Sequence, residues 1–252
     1  DYIPFHIQSF KKIGFGLNSR HRLYLQEHLL EHDYFSFAEE DMLLTVSHLR
    51  AVVEFENTMK KALPRTWLRY TPGFLRYEDS ITDTERVSWE YMPEKTYVVD
   101  MSLKSKELGK YVVTLNHNQA IYVFGREQLQ DLERRCGFLT DVGQNPFYRQ
   151  LRKAMDAKWN YISVGVSEWS SSFQQILQCG LRRLTPVGEA AARDSLLPRG
   201  NNKWPNFMIH HSVNKAQTRR LRKELLSQSA WEQIIQEKSA SPITLEKAYE
   251  LV

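Results

Sequence analysis

Two histidines that flank a glutamate, His28-Leu29-Leu30-Glu31-His32, are the sharpest chemical signal in this chain. On a helix, histidines four residues apart share a face and can hold one zinc ion, while the carboxylate between them activates a metal-bound water. A third ligand has to come from farther along, and Asp100 and Glu107 are available for it. The second signal is Arg65-Thr66-Trp67-Leu68-Arg69-Tyr70, followed by Phe74, Arg76 and Tyr77, in which cations alternate with aromatic rings. In an extended segment Arg65, Trp67 and Arg69 share one side, a surface that can stack bases and neutralise phosphates. Tyr, Trp and Arg are equally the residues that dominate protein-binding hot spots, and protein contact is the preferred reading.

A third candidate surface lies near the C-terminus. After Ser212, the residues Lys215, Arg219, Arg222 and Lys223 fall within about a third of a helix circumference, with Val213, Leu221 and Leu225 on the other side. Such a basic amphipathic helix can meet RNA phosphates, an anionic membrane face or an acidic partner. Trp204 precedes it in a segment rich in Pro, Gly and Asn.

Two motifs resemble known families over a few residues each. His28 to His32 fits the pattern of the inverted zinc peptidases, yet the flanking Leu23-Tyr24-Leu25-Gln26-Glu27 is unlike the small and apolar residues those enzymes place there. An amphipathic surface helix is the simpler reading, so no cofactor is expected, and zinc is the one metal in question. Arg182-Arg183-Leu184-Thr185-Pro186-Val187-Gly188-Glu189-Ala190-Ala191 resembles the Leu-Thr-x-x-Gly-x-x-Ala opening of the helix after the wing in winged-helix regulators. The hairpin expected before it is missing, and no DNA-binding function is carried over.

Composition bounds these readings. The chain of 252 residues is 42% hydrophobic and 12% aromatic, which is enough to build a core, and its net charge is +4. That charge is well short of a dedicated nucleic-acid binder. Cys136 and Cys179 are the only cysteines, too few for a disulfide framework, and read as small hydrophobes within helices in a reducing compartment. A chain that opens on Asp1 rather than Met is expected to be processed or trimmed. Together with the pI of 8.9, this suggests a mitochondrial setting.

The elements that would position these residues follow from period and punctuation. Residues 1–17 read as an aromatic arm. Ser19 caps a helix to about His32, and Ser36-Phe37-Ala38-Glu39 is a capping box for a long helix that Pro64 ends. Four segments rich in Val, Tyr and Ile, near 86–91, 96–103, 110–116 and 120–124, predict an antiparallel meander. Arg126 to Cys136 is helical, with Gly137 as its left-handed stop. Further helices are expected from Pro146 to Lys158, from Ser170 to Leu184 and from Pro186, with a strand at 161–166. Helices capped by Ser212, Ser229 and Ser241-Pro242 complete the chain.

The expected fold is α+β: N-terminal helices, a central antiparallel sheet of three to four strands with flanking helices, and a C-terminal helical extension. Residues 1–197 would form the core with its arm, and 198–252 a linker and extension. The expected function is a non-catalytic structural or interaction subunit of a protein or ribonucleoprotein assembly. The alternatives are RNA binding through Arg65, Trp67, Arg69, Tyr70 and the basic helix, and zinc-dependent hydrolysis at His28, Glu31 and His32. Partners would be other protein subunits or RNA, with peripheral membrane contact open to the basic helix and no transmembrane segment.

Overall fold

A computed structural model of the chain describes residues 17–38, 42–79, 86–88, 96–114, 121–139, 179–187, 207–211 and 226–251. The helices are α1 (Leu17–Glu27), α2 (Val46–Ala62), α3 (Arg126–Cys136), α4 (Gln228–Ser239) and α5 (Leu245–Leu251). The strands are β1 (Tyr34–Ala38), β2 (Met42–Leu43), β3 (Tyr70–Pro72), β4 (Leu75–Asp79), β5 (Arg86–Ser88), β6 (Thr96–Asp100), β7 (Lys110–Thr114), β8 (Ile121–Gly125), β9 (Arg182–Val187), β10 (Met208–His211) and β11 (Leu226–Ser227). They form sheets in the orders β3-β9-β7-β6, β11-β5-β4-β10-β2 and β1-β8, an α+β architecture as the sequence predicts. No helix among the described residues is long and apolar enough to cross a membrane.

The four-stranded sheet is the centre of the fold. β6 and β7 make a hairpin in register from Thr96↔Thr114 to Asp100↔Lys110. The Asp100 carboxylate accepts from the Ser102 amide at 2.9 Å, and the Met101 amide donates to the Gly109 carbonyl at 3.0 Å, which fixes the turn. β9 then enters between β7, antiparallel, and β3, parallel. The expected meander is therefore limited to β6 and β7, because β8 leaves this sheet to pair with β1.

β8 is buried along its whole length, Ile-Tyr-Val-Phe-Gly, and it divides two cores. Successive side chains of a strand point to opposite faces. Ile121 and Val123 accordingly join the main core with Val52, Phe55, Met59, Val99 and Leu184, while Tyr122 and Phe124 join a second core with Leu25, Leu129, Leu132 and Phe138. Helix α2 covers the main core with His48, Ala51, Val52, Phe55 and Met59, which recur at three- and four-residue steps.

Several predicted ends move. α1 begins at Leu17, so Ser19 lies inside it, and it stops at Glu27 rather than His32. Ser36 sits on strand β1 instead of capping a helix, because five ladder positions with β8 and burial of Phe35 outweigh one local capping pair. The capping box of α2 is Thr45 with His48: the Thr45 hydroxyl accepts from the His48 amide, and His48 Nδ1 accepts from the Thr45 amide at 3.0 Å. α3 ends as predicted, with Gly137 at φ 61 and ψ 42 donating to the Glu133 carbonyl.

Corrections gather after residue 180. Leu181 to Val187 carry no helix: Pro186 lies within β9 rather than opening one. The C-terminal part is not purely helical, because Met208–His211 and Leu226–Ser227 are strands. Ser229 lies inside α4. The cap of α5 is the Thr244 hydroxyl, which accepts from the Lys247 amide at 3.2 Å, and Ser241-Pro242 precede a β-bridge of Ile243 with Val99. Phe207, Leu245 and Ala248 share the main core. The predicted arm, the elements at 146–166 and 212–225, and the 197/198 boundary lie outside the described residues.

Gly73, just after β3, lies close against β9. Its amide donates to the Leu184 carbonyl at 2.9 Å, and a Cβ there would enter the van der Waals shell of Thr185 Oγ1 and stand 3.0 Å from Arg183 Cγ. Both neighbours are buried and cannot swing clear. Gly73→Ala is therefore expected to lower the stability of the folded chain by about 1–3 kcal/mol, read as a drop in the urea midpoint at unchanged slope. An unchanged midpoint would show that the two strands do not approach this closely.

Candidate functional site

The segment from Arg65 to Tyr70 is not extended. Residues 64–66 form a turn, in which the Thr66 and Trp67 amides both donate to the Leu63 carbonyl at 2.9 Å, and Trp67–Arg69 is a single 3-10 turn. With about three residues per turn, positions 67 and 70 fall on one side. That side faces inward: Trp67 is 8% exposed and Tyr70 9%, and both belong to the main core, while Arg65 and Arg69 stay outside. The expected alternating surface is therefore split into a buried aromatic half and an exposed cationic half. Gln128 of α3 pins the segment from behind, its side-chain amide donating to the Tyr70 carbonyl at 2.7 Å.

The Trp67 ring carries a cation of its own. Lys60 Nζ stands 4.3 Å from the ring centre, and it pairs with Glu56 at 2.8 Å and with Glu127 at 3.5 Å. Burial lowers the affinity of Lys60 for its proton, but the hydrogen bonds and charges of Glu56 and Glu127 outweigh it and hold the ammonium above its ordinary value. Tyr34 reaches the same carboxylate: burial first, then the charge and hydrogen bond of Glu56, push its phenol up to about 12. Gly125 completes the pocket, since a Cβ there would meet Glu56 Oε2 at 2.5 Å. Every charge in this cluster has a partner, so it reads as a structural network that locks α2 to α3.

The motif His28 to His32 loses its geometric basis. α1 ends at Glu27, and residues 28–31 form a turn closed by the Glu31 amide on the His28 carbonyl at 3.0 Å. The two imidazole rings are 6.4 Å apart, with His32 edge-on to Phe35. Glu31 is turned onto His28, its Oε2 lying 2.8 Å from Nδ1, and that hydrogen bond, above all, holds its carboxyl below the ordinary value. Asp100 and Glu107 are engaged elsewhere, Glu107 with Lys61 at 2.9 Å. Among the described residues, no group of three or more His, Cys, Asp or Glu side chains gathers where one metal ion could be held. Trp204, Lys215, Arg219, Arg222 and Lys223 lie outside the described residues.

A cluster that the sequence reading missed surrounds the two cysteines. Cys136, at the end of α3, and Cys179, in a turn before β9, are bonded to each other across 43 residues, with their Cα atoms 5.9 Å apart. They are thus a cross-link between a helix end and a turn, not two separate hydrophobes in helices. Closing a loop of this length is worth about 4 kcal/mol in the chain-entropy account. Around the bond stand Asp131, Arg134, Arg135 and Arg69. Arg134 and Arg135 donate to the two oxygens of Asp131 at 2.7 and 2.6 Å, and Arg69 donates to the Cys179 carbonyl at 3.4 Å. The signal available in the sequence was Cys-Gly at 179–180: Gly180 takes φ 78, which a turn beside a cross-link can demand of glycine.

Asp131 is the anionic hinge of this cluster. Burial raises its affinity for a proton, but the hydrogen bonds and charges of Arg134 and Arg135 outweigh burial and hold the carboxyl below its ordinary 3.8. A carboxyl lowered by folding stabilises the fold above its ordinary value, and the contribution fades as pH falls through the lowered one. Asp131→Asn is expected to remove about 3 kcal/mol at pH 7, because it leaves Arg135 without its counter-charge. Urea titrations should show that gap narrowing as pH drops below about 4. A gap independent of pH would show that the ion pair is not what holds α3 in place. No protein-family model matches the chain, and no curated protein and no solved structure matches it.

Proposed function

We propose that this chain is a non-catalytic interaction subunit of a larger protein or ribonucleoprotein assembly. The observation that carries this reading is the β2 edge. The five-stranded sheet ends on β2, which has no further strand beside it among the described residues. Immediately next to it, Leu43 is 56% exposed and Val46 52%. Val46 opens α2, whose first turn is fixed by the Thr45 capping box, so these aliphatic groups are held rigidly rather than on a loose loop. A short open edge with rigid apolar side chains beside it suits docking of another chain, because little conformational freedom is left to lose on contact.

Protein contact is favoured over RNA by where the rings lie. Trp67 and Tyr70 are in the core, so between Arg65 and Tyr70 bases have no stacking platform, and of these six residues only Arg65 and Arg69 offer exposed cations for phosphate contact. A mitochondrial setting belongs to the same reading and is supported by the basic balance of the sequence alone.

Leu43→Glu with Val46→Glu tests the edge, since substitutions at exposed positions usually change stability by about 0.5 kcal/mol or less. Native mass spectrometry of the gently purified chain is expected to show a defined stoichiometric complex for the wild type. The double variant should appear as a monomer with the same melting temperature. A wild type that runs as a lone monomer, or a variant that assembles as the wild type does, would contradict the proposal.

A further inference from the structure

The Arg135 guanidinium lies within the protein with its hydrogen-bonding capacity largely unused among the described residues. Nε donates to Asp131 at 2.6 Å, while Nη1 and Nη2 are closed off from solvent and meet no acceptor among the described residues. A guanidinium offers five N–H donors in a fixed fork, and a buried donor left without an acceptor is destabilising. Arg69 reaches the same point. Its Nη1 stands 3.0 Å, and that of Arg135 3.8 Å, from where a side chain on Gly180 would begin. Two cations converge there on a place that glycine keeps open.

Among the described residues, nearby acids do not fill the gap. Asp131 is already shared by Arg134 and Arg135, and Glu133 accepts from the Leu139 amide at 2.6 Å. Arg69 holds the Cys179 carbonyl only at 3.4 Å, near the outer limit of a hydrogen bond, and its side chain is exposed. It can therefore swing outward and admit a ligand to the Arg135 fork. The disulfide of Cys136 and Cys179 ties the Gly180 turn to the end of α3, which holds the remaining wall in place.

We propose that Arg69 and Arg135 form a binding site for a small oxyanion, a phosphate or carboxylate group, at the Gly180 turn. The planar fork of Arg135 matches two oxygens of such a group, and Arg69 closes over a third oxygen or the same pair. The anion supplies the missing acceptors and separates two like charges, so its binding stabilises the folded chain.

The test is calorimetric titration of the intact chain with inorganic phosphate and, separately, with acetate, at fixed ionic strength with chloride as the control. Saturable binding beyond chloride is expected, weakened about tenfold or more in Arg69→Gln, in line with loss of one charge-assisted hydrogen bond. Arg69 is exposed, so this variant is expected to fold. Arg135→Lys keeps the charge but loses the fork, and should bind more weakly still. Binding of phosphate but not acetate assigns a phosphate-bearing ligand; acetate alone assigns a carboxylate. Failure of both to bind saturably, or an Arg69→Gln variant that binds as the wild type does, would overturn the proposal.

Discussion

The rest of the structure depends on one insertion: β9 enters between β7 and β3, and its pairing with β3 joins parts of the chain more than one hundred residues apart in sequence. Leu184, fully buried, carries the apolar content of that insertion, and Gly73 gives it room. β9 also seats the C-terminus. The Tyr249 hydroxyl donates to the Arg183 carbonyl at 2.7 Å, and the Arg182 guanidinium lies over the Tyr249 ring at 4.6 Å. Burial pushes the Tyr249 phenol well up, so the ring stays a neutral donor throughout the physiological range. Removing β9 would therefore take away a central strand and the two Tyr249 contacts that help to hold α5.

From that centre the structure extends by alternation. β8 sends one set of side chains to each of two cores, and each core has its own helix, α2 on one side and α3 on the other. The ends of those helices are where charges collect. The Glu56, Lys60 and Glu127 network ties α2 to the start of α3, and Asp131 with its two arginines occupies the far end of α3 beside the disulfide. In the first network one ammonium, that of Lys60, is shared by two carboxylates. In the second, among the described residues, three arginines stand beside Asp131 and Glu133, and that excess of cations marks the Arg69 and Arg135 corner.

What could be read from the sequence was what short-range physics decides. The apolar stripe Val52, Phe55, Met59 has a helix period and needs no knowledge of its partner, and Gly137 follows a run that only a left-handed residue can close. β6 and β7 are neighbours in sequence and pair locally. What was lost depended on distant strands. Ser36 looked like a helix cap because the pairing of β1 with β8 lies nearly ninety residues away. Pro186 looked like a helix start, yet it lies beyond the reach of β3, where only one side of β9 is paired among the described residues and a missing amide proton is tolerated. The candidate site followed the same rule. Arg65 to Tyr70 had the right residues, but a 3-10 turn sent the rings inward, and the cluster that does form is joined by a bond across 43 residues.

Native-state hydrogen exchange tests the insertion of β9 most directly. Amides of Thr185 and Val187 in β9 and of Lys110 to Val112 in β7 are expected to exchange together, at the slow limit set by global unfolding, because one ladder holds both. Fast, loop-like exchange at 185 and 187 beside protected amides at 110–112 would contradict a central β9 and the account built on it.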